Sequence, residues 1–352
     1  MTKLQNKIKT ELLREYIEDA LNKLGVNSEL TNSICSALIK TTQWGIDTHG
    51  IRLFPTYVKE LIGGRAIATN QMDAVFVSNA MVKLDAKQNL GVLAGFKAAE
   101  LAREIAQSNG CGIVSVSNSN HFGAAQLYAR QLAKHDLVGL VMTNAAPRVV
   151  PFNGHQQLFG TNPICFTAPA QNEVFCLDMA TSQSSYSKVK GFIRDGKVLP
   201  DSWVATADDT APNSLSDIVG LLPLGGYKGQ GLAMMVEILC STLAGSLSGC
   251  QMSHLDTEPY DQPRDVSHFV LAIDPAKFTP IEAFKSALSE YLSAVRNSTP
   301  AGAAQILTAG QQELYLAETR QQFLSMTEFE IEDFASIESS IGVARSIHTL
   351  IE

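Results

Sequence analysis

Long apolar-striped segments alternate along the chain with short polar islands, and the stripes predict most of its elements. Residues 11–24 place Leu12, Leu13, Tyr16, Ile17, Ala20, Leu21 and Leu24 on one helical face, ended by Gly25. A second helix is predicted from Asn27 or Ser28, either of which can cap it, to about Trp44, with Gly45 as its stop. A short helix is expected at 52–61, an Ala-rich one at 91–109 and another at 123–135. Strands at 111–117 and 137–143 follow the last two, and this alternation argues for an α/β core. Further strands are expected at 164–168, 174–179 and 269–273. Residues 229–245 read as a buried helix with Leu232, Met235, Val236, Leu239 and Leu243 on one face. Residues 281–295 are amphipathic, and the tail from Met326 is acidic and then helical. At 352 residues the chain exceeds a typical single core, so two lobes or a discontinuous domain are expected, although no linker marks a boundary.

The polar islands break this pattern where packing alone would place Val or Leu. Thr161-Asn162-Pro163 lies between Phe159-Gly160 and Ile164-Cys165-Phe166, and its hydroxyl and amide must find partners. Asp47-Thr48-His49-Gly50 forms a second island, and Leu222-Pro223-Leu224-Gly225-Gly226-Tyr227-Lys228-Gly229 a third. His49 carries a group that exchanges protons near neutrality. Arg52 can hold a carboxylate through two parallel hydrogen bonds, or equally can be a surface arginine paired with Glu60 or Asp47. Residues 121–125 follow a strand and open a predicted helix, whose free N–H groups suit an anion, yet His121 alone could be a cap or core residue. Asp178 ends a strand, where it can accept hydrogen bonds from hydroxyls or cap the turn at Thr181-Ser182. The glycines before Lys228 allow a backbone to approach a ligand, and the ammonium can meet a phosphate.

Together these islands resemble the malate/L-lactate dehydrogenase family, over residues 12–320. The resemblance implies an α/β (α+β) fold that is not Rossmann-type, with a largely antiparallel sheet core and helical N- and C-terminal parts. In agreement, the chain has no G-x-G-x-x-G fingerprint. It implies a helical part at 1–72 packing with 281–352, around a cofactor-binding core at 73–280. It implies His49 as proton donor supported by Thr48, Arg52 and Thr161 as substrate contacts, and Lys188 in the catalytic set. Contacts to NADH or NADPH are implied for His121, Phe122, Gly123, Ala124 and Ala125, for Asp178, Met179 and Ala180, and for Tyr186 and Ser187. Tyr227, Lys228, Gly310, Gln311 and Gln312 complete that set, although Ala309 stands where the family often has Pro. A homodimer is also implied.

Charge and composition narrow the alternatives. A net charge of −8 leaves no footprint for nucleic acid or an anionic membrane. No apolar run is long enough to predict a transmembrane helix, and the polar N-terminus lacks the apolar core of a signal peptide, so a cytoplasmic protein is expected. Six cysteines without a CxxC pair read as reduced, mostly buried thiols, and no zinc spacing is present.

Two substrate classes fit the resemblance. Leu158-Phe159-Gly160-Thr161 leans toward a cyclic ketimine carboxylate, Δ1-pyrroline-2-carboxylate or Δ1-piperideine-2-carboxylate, and this reading is favoured slightly. Lys188 replaces the Asp of imine-reducing members and leans toward a 2-hydroxyacid of the malate, lactate or ureidoglycolate type. A cofactor-binding protein without catalysis is a third class, disfavoured by the retention of His49, Arg52 and Lys228.

Overall fold

The computed structural model describes residues 6–208, 210–212 and 214–352. Its strands are β1 (Asn6–Lys9), β2 (Asp73–Ser78), β3 (Met81–Asp85), β4 (Cys111–Ser119), β5 (Val138–Thr143) and β6 (Ile164–Pro169). They continue with β7 (Val174–Met179), β8 (Val204–Thr206), β9 (Ile218–Leu221), β10 (Val266–Ile273) and β11 (Phe323–Met326). The helices begin with α1 (Thr10–Lys23), α2 (Ser28–Gln43), α3 (Phe54–Gly63), α4 (Gly91–Asn109) and α5 (Gln126–Ala133). They end with α6 (Tyr186–Arg194), α7 (Tyr227–Glu237), α8 (Ile281–Arg296), α9 (Gln311–Thr319) and α10 (Glu328–Ile341).

Seven strands form one sheet in the order β2-β3-β4-β10-β5-β6-β7. Every neighbouring pair is antiparallel except β3–β4, so the core is largely antiparallel as expected. The strand–helix–strand alternation across β4, α5 and β5 is present, but β4 and β5 do not touch. β10 returns from far along the chain and inserts between them, antiparallel to both.

Apolar burial ties the chain ends to this sheet. One hydrophobic cluster includes Leu13 of α1, Phe54 of α3, Val114 of β4, Val270 of β10 and Phe334 of α10. Phe54 and Phe334 are fully buried with ring centroids 5.5 Å apart, and burying each ring contributes on the order of 2 kcal/mol. β1 pairs antiparallel with β11, joining the two ends of the chain directly. α8 lies instead beside the core, where Arg296 grips Glu173 through two bonds of 2.8 and 2.7 Å.

Local chemistry explains several boundaries. The Asn27 side chain accepts the Leu30 N–H at 3.0 Å and caps α2. The helix expected at 123–135 starts only at Gln126, because Gly123 has φ +73°, outside the right-handed helical region. The expected buried helix at 229–245 is also corrected. It begins at Tyr227, changes to a π-type turn at Ile238–Thr242, and buries only Gly229, Ala233, Val236, Cys240 and Ser241. Its other side leaves Met234, Ile238 and Leu243 exposed. Four cysteines are buried, while Cys111 is half-buried and Cys250 exposed. Among the described residues no helix is long and apolar enough to cross a membrane.

Candidate active site

The His49 turn hangs from the end of α2. A one-turn helix at Asp47–His49 follows Gly45, and Gly50 then passes so close to α2 that a Cβ there would lie 2.0 Å from Thr42 Oγ1. Thr42 Oγ1 also accepts the Ile51 N–H at 2.9 Å, and Asp47 pairs with Arg320 at 2.6 Å. The turn is therefore held on both sides. Thr48 Oγ1 lies 2.8 Å from His49 Nδ1, fixing the ring about its own hydroxyl neighbour.

His121 approaches from the loop after β4, and the two imidazoles stack with centroids 5.6 Å apart and planes 20° from parallel. The start of α4 presses against this loop, since a Cβ on Gly91 would fall 2.1 Å from the Asn120 carbonyl oxygen. His121 Nδ1 accepts the Gly123 N–H at 3.3 Å. A backbone amide can only donate, so Nδ1 is unprotonated and the neutral ring carries its proton on Nε2. Tyr57 therefore donates its hydroxyl to the same Nδ1 at 3.1 Å. Burial lowers His49 to about 4 and drives His121 well below the usual histidine range, with His49 the next contributor for His121. His49 keeps some accessible surface toward the cavity, but protein surrounds its ring. Both rings are neutral at pH 7.

Behind them, Phe122 stacks on His268 at 4.5 Å, and Tyr128 donates its hydroxyl to the Phe122 carbonyl. His268 is fully buried in β10, with its ring nitrogens 2.8 Å from Thr143 Oγ1 and 2.8 Å from Ser119 Oγ.

Thr161 enters from the loop before β6, and Asn162 is the strut that holds it. Asn162 is fully buried and accepts the Ala145 N–H at 3.2 Å. It donates to the Ala233 carbonyl at 3.1 Å and to Glu237 at 2.9 Å. The Thr161 carbonyl accepts from the Thr181 N–H at 2.9 Å and the Thr181 hydroxyl at 3.0 Å. The unusual Thr-Asn-Pro island thus ties β6, β7 and α7 together around the cavity.

The fourth wall was not among the residues expected from sequence. Arg264 lines the cavity with His49, His121 and Thr161. It is 3% exposed; its Nε donates to the Ser253 carbonyl at 3.3 Å, and its Nη1 has no partner among the described residues. Glu60 lies behind it, fully buried, with Arg65 3.7 Å from one carboxylate oxygen. Burial raises Glu60 to about 7, against the pull of Arg264 and Arg65. Two buried guanidiniums thus share one buried carboxylate, with the exposed Asp256 acting on Arg264 as a weaker second, which leaves the cavity wall positive. Among the described residues no Asp or Glu lines that cavity.

Other expected residues lie elsewhere. Arg52 is 3.8 Å from Glu330, not from Glu60 or Asp47, and does not line the cavity. Lys188 is exposed on α6 with its ammonium 4.6 Å from the Trp203 ring centroid, apart from the cavity residues. Ser187 adjoins it, and Tyr186 packs under the Arg148 guanidinium at 4.4 Å. Tyr227 and Lys228 are exposed at the start of α7. A separate hollow between α1 and the C-terminal turn, lined by Tyr16, Asp19 and Arg345, gathers none of the expected residues.

A second group assembles at the start of α5. Asp178 Oδ2 accepts the Gln126 N–H at 3.2 Å, capping this helix and not the Thr181 turn. Burial raises its carboxyl to about 6, with Glu313 adding to the effect. Arg130 donates to the Gly310 carbonyl at 3.4 Å, bringing Gln311 and Gln312 alongside. Gln126 Nε2 is buried without a partner among the described residues. Met179 and Ala180 lead from this cluster toward Thr181 and Thr161.

Comparison with known proteins decides the family, since the sequence profile of malate/L-lactate dehydrogenases matches residues 8–323. The chain belongs to the malate/L-lactate dehydrogenase family. A malate dehydrogenase of Pyrococcus abyssi is 34% identical over 302 residues, 83% of this chain and 82% of that protein. The sulfolactate dehydrogenase structure from Methanocaldococcus jannaschii superposes with a TM-score of 0.91 at 29% identity, covering 98% and 99% of the two chains. Δ1-piperideine-2-carboxylate reductase from Pseudomonas syringae pvar. tomato superposes at 0.81 with 25% identity, over 93% and 98%. The protein is an oxidoreductase that works with NADH or NADPH. The group around α5 fits such a cofactor: it offers a carboxylate for hydroxyls and an unpaired buried amide donor in Gln126.

Proposed function

We propose that this protein interconverts a small 2-oxo acid and its 2-hydroxy acid. The observation that carries this reading is a cavity walled by one under-partnered guanidinium and two neutral imidazoles, without a carboxylate among the described residues. Arg264 takes the substrate carboxylate, and the Thr161 hydroxyl orients it. His49 exchanges the proton with the substrate oxygen, while Thr48 fixes its ring. Neutral at pH 7, His49 is ready to accept the hydroxyl proton during oxidation. In reduction it must first be protonated, and an anion held at Arg264 raises its proton affinity. His121, held by Tyr57 and Gly123, presents its remaining N–H as a positioning donor.

Bound nicotinamide supplies the hydride. Residues 121–125, Asp178, Met179, Ala180, Gly310, Gln311 and Gln312 are proposed to hold the cofactor, with Tyr186, Ser187, Tyr227 and Lys228 at its exposed side. A homodimer and a cytoplasmic setting belong to the same proposal. Exposed Met234, Ile238, Leu243, Phe166 and Leu177 supply apolar surface for the first, and six free thiols suit the second.

A cyclic ketimine carboxylate is the second reading, favoured by the likeness to the piperideine-2-carboxylate reductase and by residues 158–161. A protonated imine would bring a cation into a cavity that offers no carboxylate, which ranks it below the 2-oxo acid. His49→Ala discriminates between them, because an alkoxide needs a proton whereas a protonated imine yields a neutral amine. Steady-state kinetics from pH 6 to 9 should show a loss of about 10²–10⁴-fold on 2-oxo acids and a smaller one on imines. Activity on imines alone would reverse the ranking. Equal losses with parallel pH profiles would leave His49 a positioning residue.

A further inference from the structure

The loop that carries Arg264 has a long exposed course and few anchors of its own. It runs over residues 253–265, between the short helical turn at Gly249–Gln251 and β10. Met252 and Val266 close its base against Ala146 in a small buried cluster, and Val266 lines the cavity. Asp265, left-handed at φ +52°, turns the chain into β10 and accepts the Asn118 and Leu247 N–H groups, each at 3.0 Å. Between these ends residues 256–259 and 261–263 are exposed.

Arg65 grips the middle of this loop. It follows the left-handed Gly64 that ends α3, and it is 1% exposed. Its Nη1 donates to the Leu255 carbonyl at 3.1 Å; its Nη2 donates to the Thr257 carbonyl and, at 3.0 Å, to that of Pro259. The guanidinium carbon lies 4.6 Å from the Tyr260 ring centroid, and the Arg65 N–H donates to the Tyr260 carbonyl at 3.0 Å. A planar fork holds several carbonyls at fixed angles, which an ammonium cannot do. The seat is tight, since a Cβ on Gly63 would fall 2.2 Å from the Tyr260 carbonyl oxygen.

Two contacts carry this grip toward the cavity. Arg264 Nε donates to the carbonyl of Ser253, at the entry of the same loop, so the loop's own backbone aims the guanidinium. On the other side the Arg65 carbonyl accepts from Asn120 Nδ2 at 3.5 Å, one residue before His121. Arg65 thus stands between the arm that brings Arg264 and the arm that brings His121, and does not line the cavity itself.

We propose that Arg65 is a positioning residue for substrate binding, clamping the 253–265 loop so that the Arg264 guanidinium is held at the cavity wall. This rests on the reading of Arg264 as partner of the substrate carboxylate. Arg65 then acts only through Arg264. A charge that merely balanced Glu60, 3.7 Å away, would be served equally well by lysine.

The test is a double-mutant cycle on the full-length protein, with NADH and a 2-oxo acid that the wild type reduces. Arg65→Lys keeps the charge beside Glu60 and loses the fork. It should raise KM for the 2-oxo acid about tenfold and leave kcat within about threefold. NADH affinity, read by fluorescence titration, should not change. In an Arg264→Gln background the same substitution should lower kcat/KM by less than about twofold further, because residues acting through one contact are not additive. Gly63→Ala keeps Arg65 and displaces a mostly exposed loop at Tyr260. It should repeat both results, and it carries the test if Arg65→Lys does not fold. Wild-type KM in these variants, or losses that multiply across the cycle, overturn the positioning role and leave the 2-oxo acid reading intact. Weakened NADH binding overturns it by assigning the loop to the cofactor. Undiminished activity of Arg264→Gln removes the contact through which Arg65 is argued to act. No turnover of any 2-oxo acid removes both proposals.

Discussion

The cavity wall and the α6–α7 surface were both rich in expected functional residues, yet the structure treats them differently. At the cavity, His49, His121 and Thr161 come from three distant segments, and each is fixed by neighbours that leave one face open. Gly50 against Thr42, Gly91 against the Asn120 carbonyl, and the three bonds of Asn162 do the fixing. On α6 and α7, Lys188, Tyr227 and Lys228 are exposed, and Lys188 rests on Trp203. The first region is pre-organised before any ligand arrives. The second leaves its side chains on the surface, Lys188 against Trp203 and Tyr227 edge-on to Phe152, where a role in the reaction depends on a ligand or partner reaching them. That contrast separates residues whose chemistry is built into the fold from residues whose role is contingent on binding.

The strongest test of the pre-organised region is Arg264. Arg264→Gln should lower kcat/KM on a 2-oxo acid by about 10²–10³-fold, because a buried charge partner for the substrate is removed. Arg264→Lys should recover part of the loss, since it restores charge without the planar fork. A Gln variant that melts like the wild type and keeps full activity would place the carboxylate elsewhere and break the comparison at its inner end.

Arg264 also shows where sequence reasoning stops. Pro263-Arg264-Asp265 reads as a polar surface loop, and nothing local says that β10 will carry it between β4 and β5. The same insertion separates β4 from β5, which the alternation alone does not show. His268 interrupts the apolar run of β10 and hid three residues of that strand, although Thr143 and Ser119 satisfy its ring completely. By contrast α4 and β7 were legible to the residue and the α2 cap to one of two, because cap chemistry, Ala periodicity and a short apolar run are local signals. His49 and Thr161 were visible for a related reason, since polar groups interrupt apolar stretches where packing alone has no use for them, whereas His121 was singled out by the family resemblance. Arg52 was visible as chemistry but not as direction. One position along a tight turn rotates a side chain by about 120°, and here that turn points it at Glu330. Exposure of Met234, Ile238 and Leu243 was hidden too, since an all-round apolar helix does not announce which face its own sheet covers.

A smaller effect probes the support beneath the cavity. Burial holds His268 at about 3, well under its ordinary 6.5. Between those values the unfolded chain binds a proton that the native protein refuses, so native stability falls as pH drops through the window. His268→Gln keeps hydrogen-bonding capacity but cannot titrate. Whatever it costs at pH 7.5, the difference from wild type should shift in favour of the variant by about 3 kcal/mol near pH 4. Chemical denaturation at both pH values measures this. A pH-independent difference would mean that the native ring is protonated, and the neutral platform under Phe122 would have to be abandoned.

The smallest expected effect falls on the contingent region. Lys188 stands where the family resemblance implies an Asp in imine-reducing members, yet its ammonium packs on Trp203 and the helix is anchored through buried Val189. Removing an exposed cation–π contact costs about 0.5–1 kcal/mol. Lys188→Ala should therefore melt slightly earlier and keep kcat within about twofold, a range that cofactor-saturated kinetics resolves. The reason is geometric: a side chain committed to Trp203 cannot also supply charge beside His49. A fall of 100-fold in kcat at saturating cofactor would show that α6 swings onto the cavity once ligands bind. The boundary between built-in and contingent residues would then be set by binding and not by the fold, and Lys188 would return to the catalytic set.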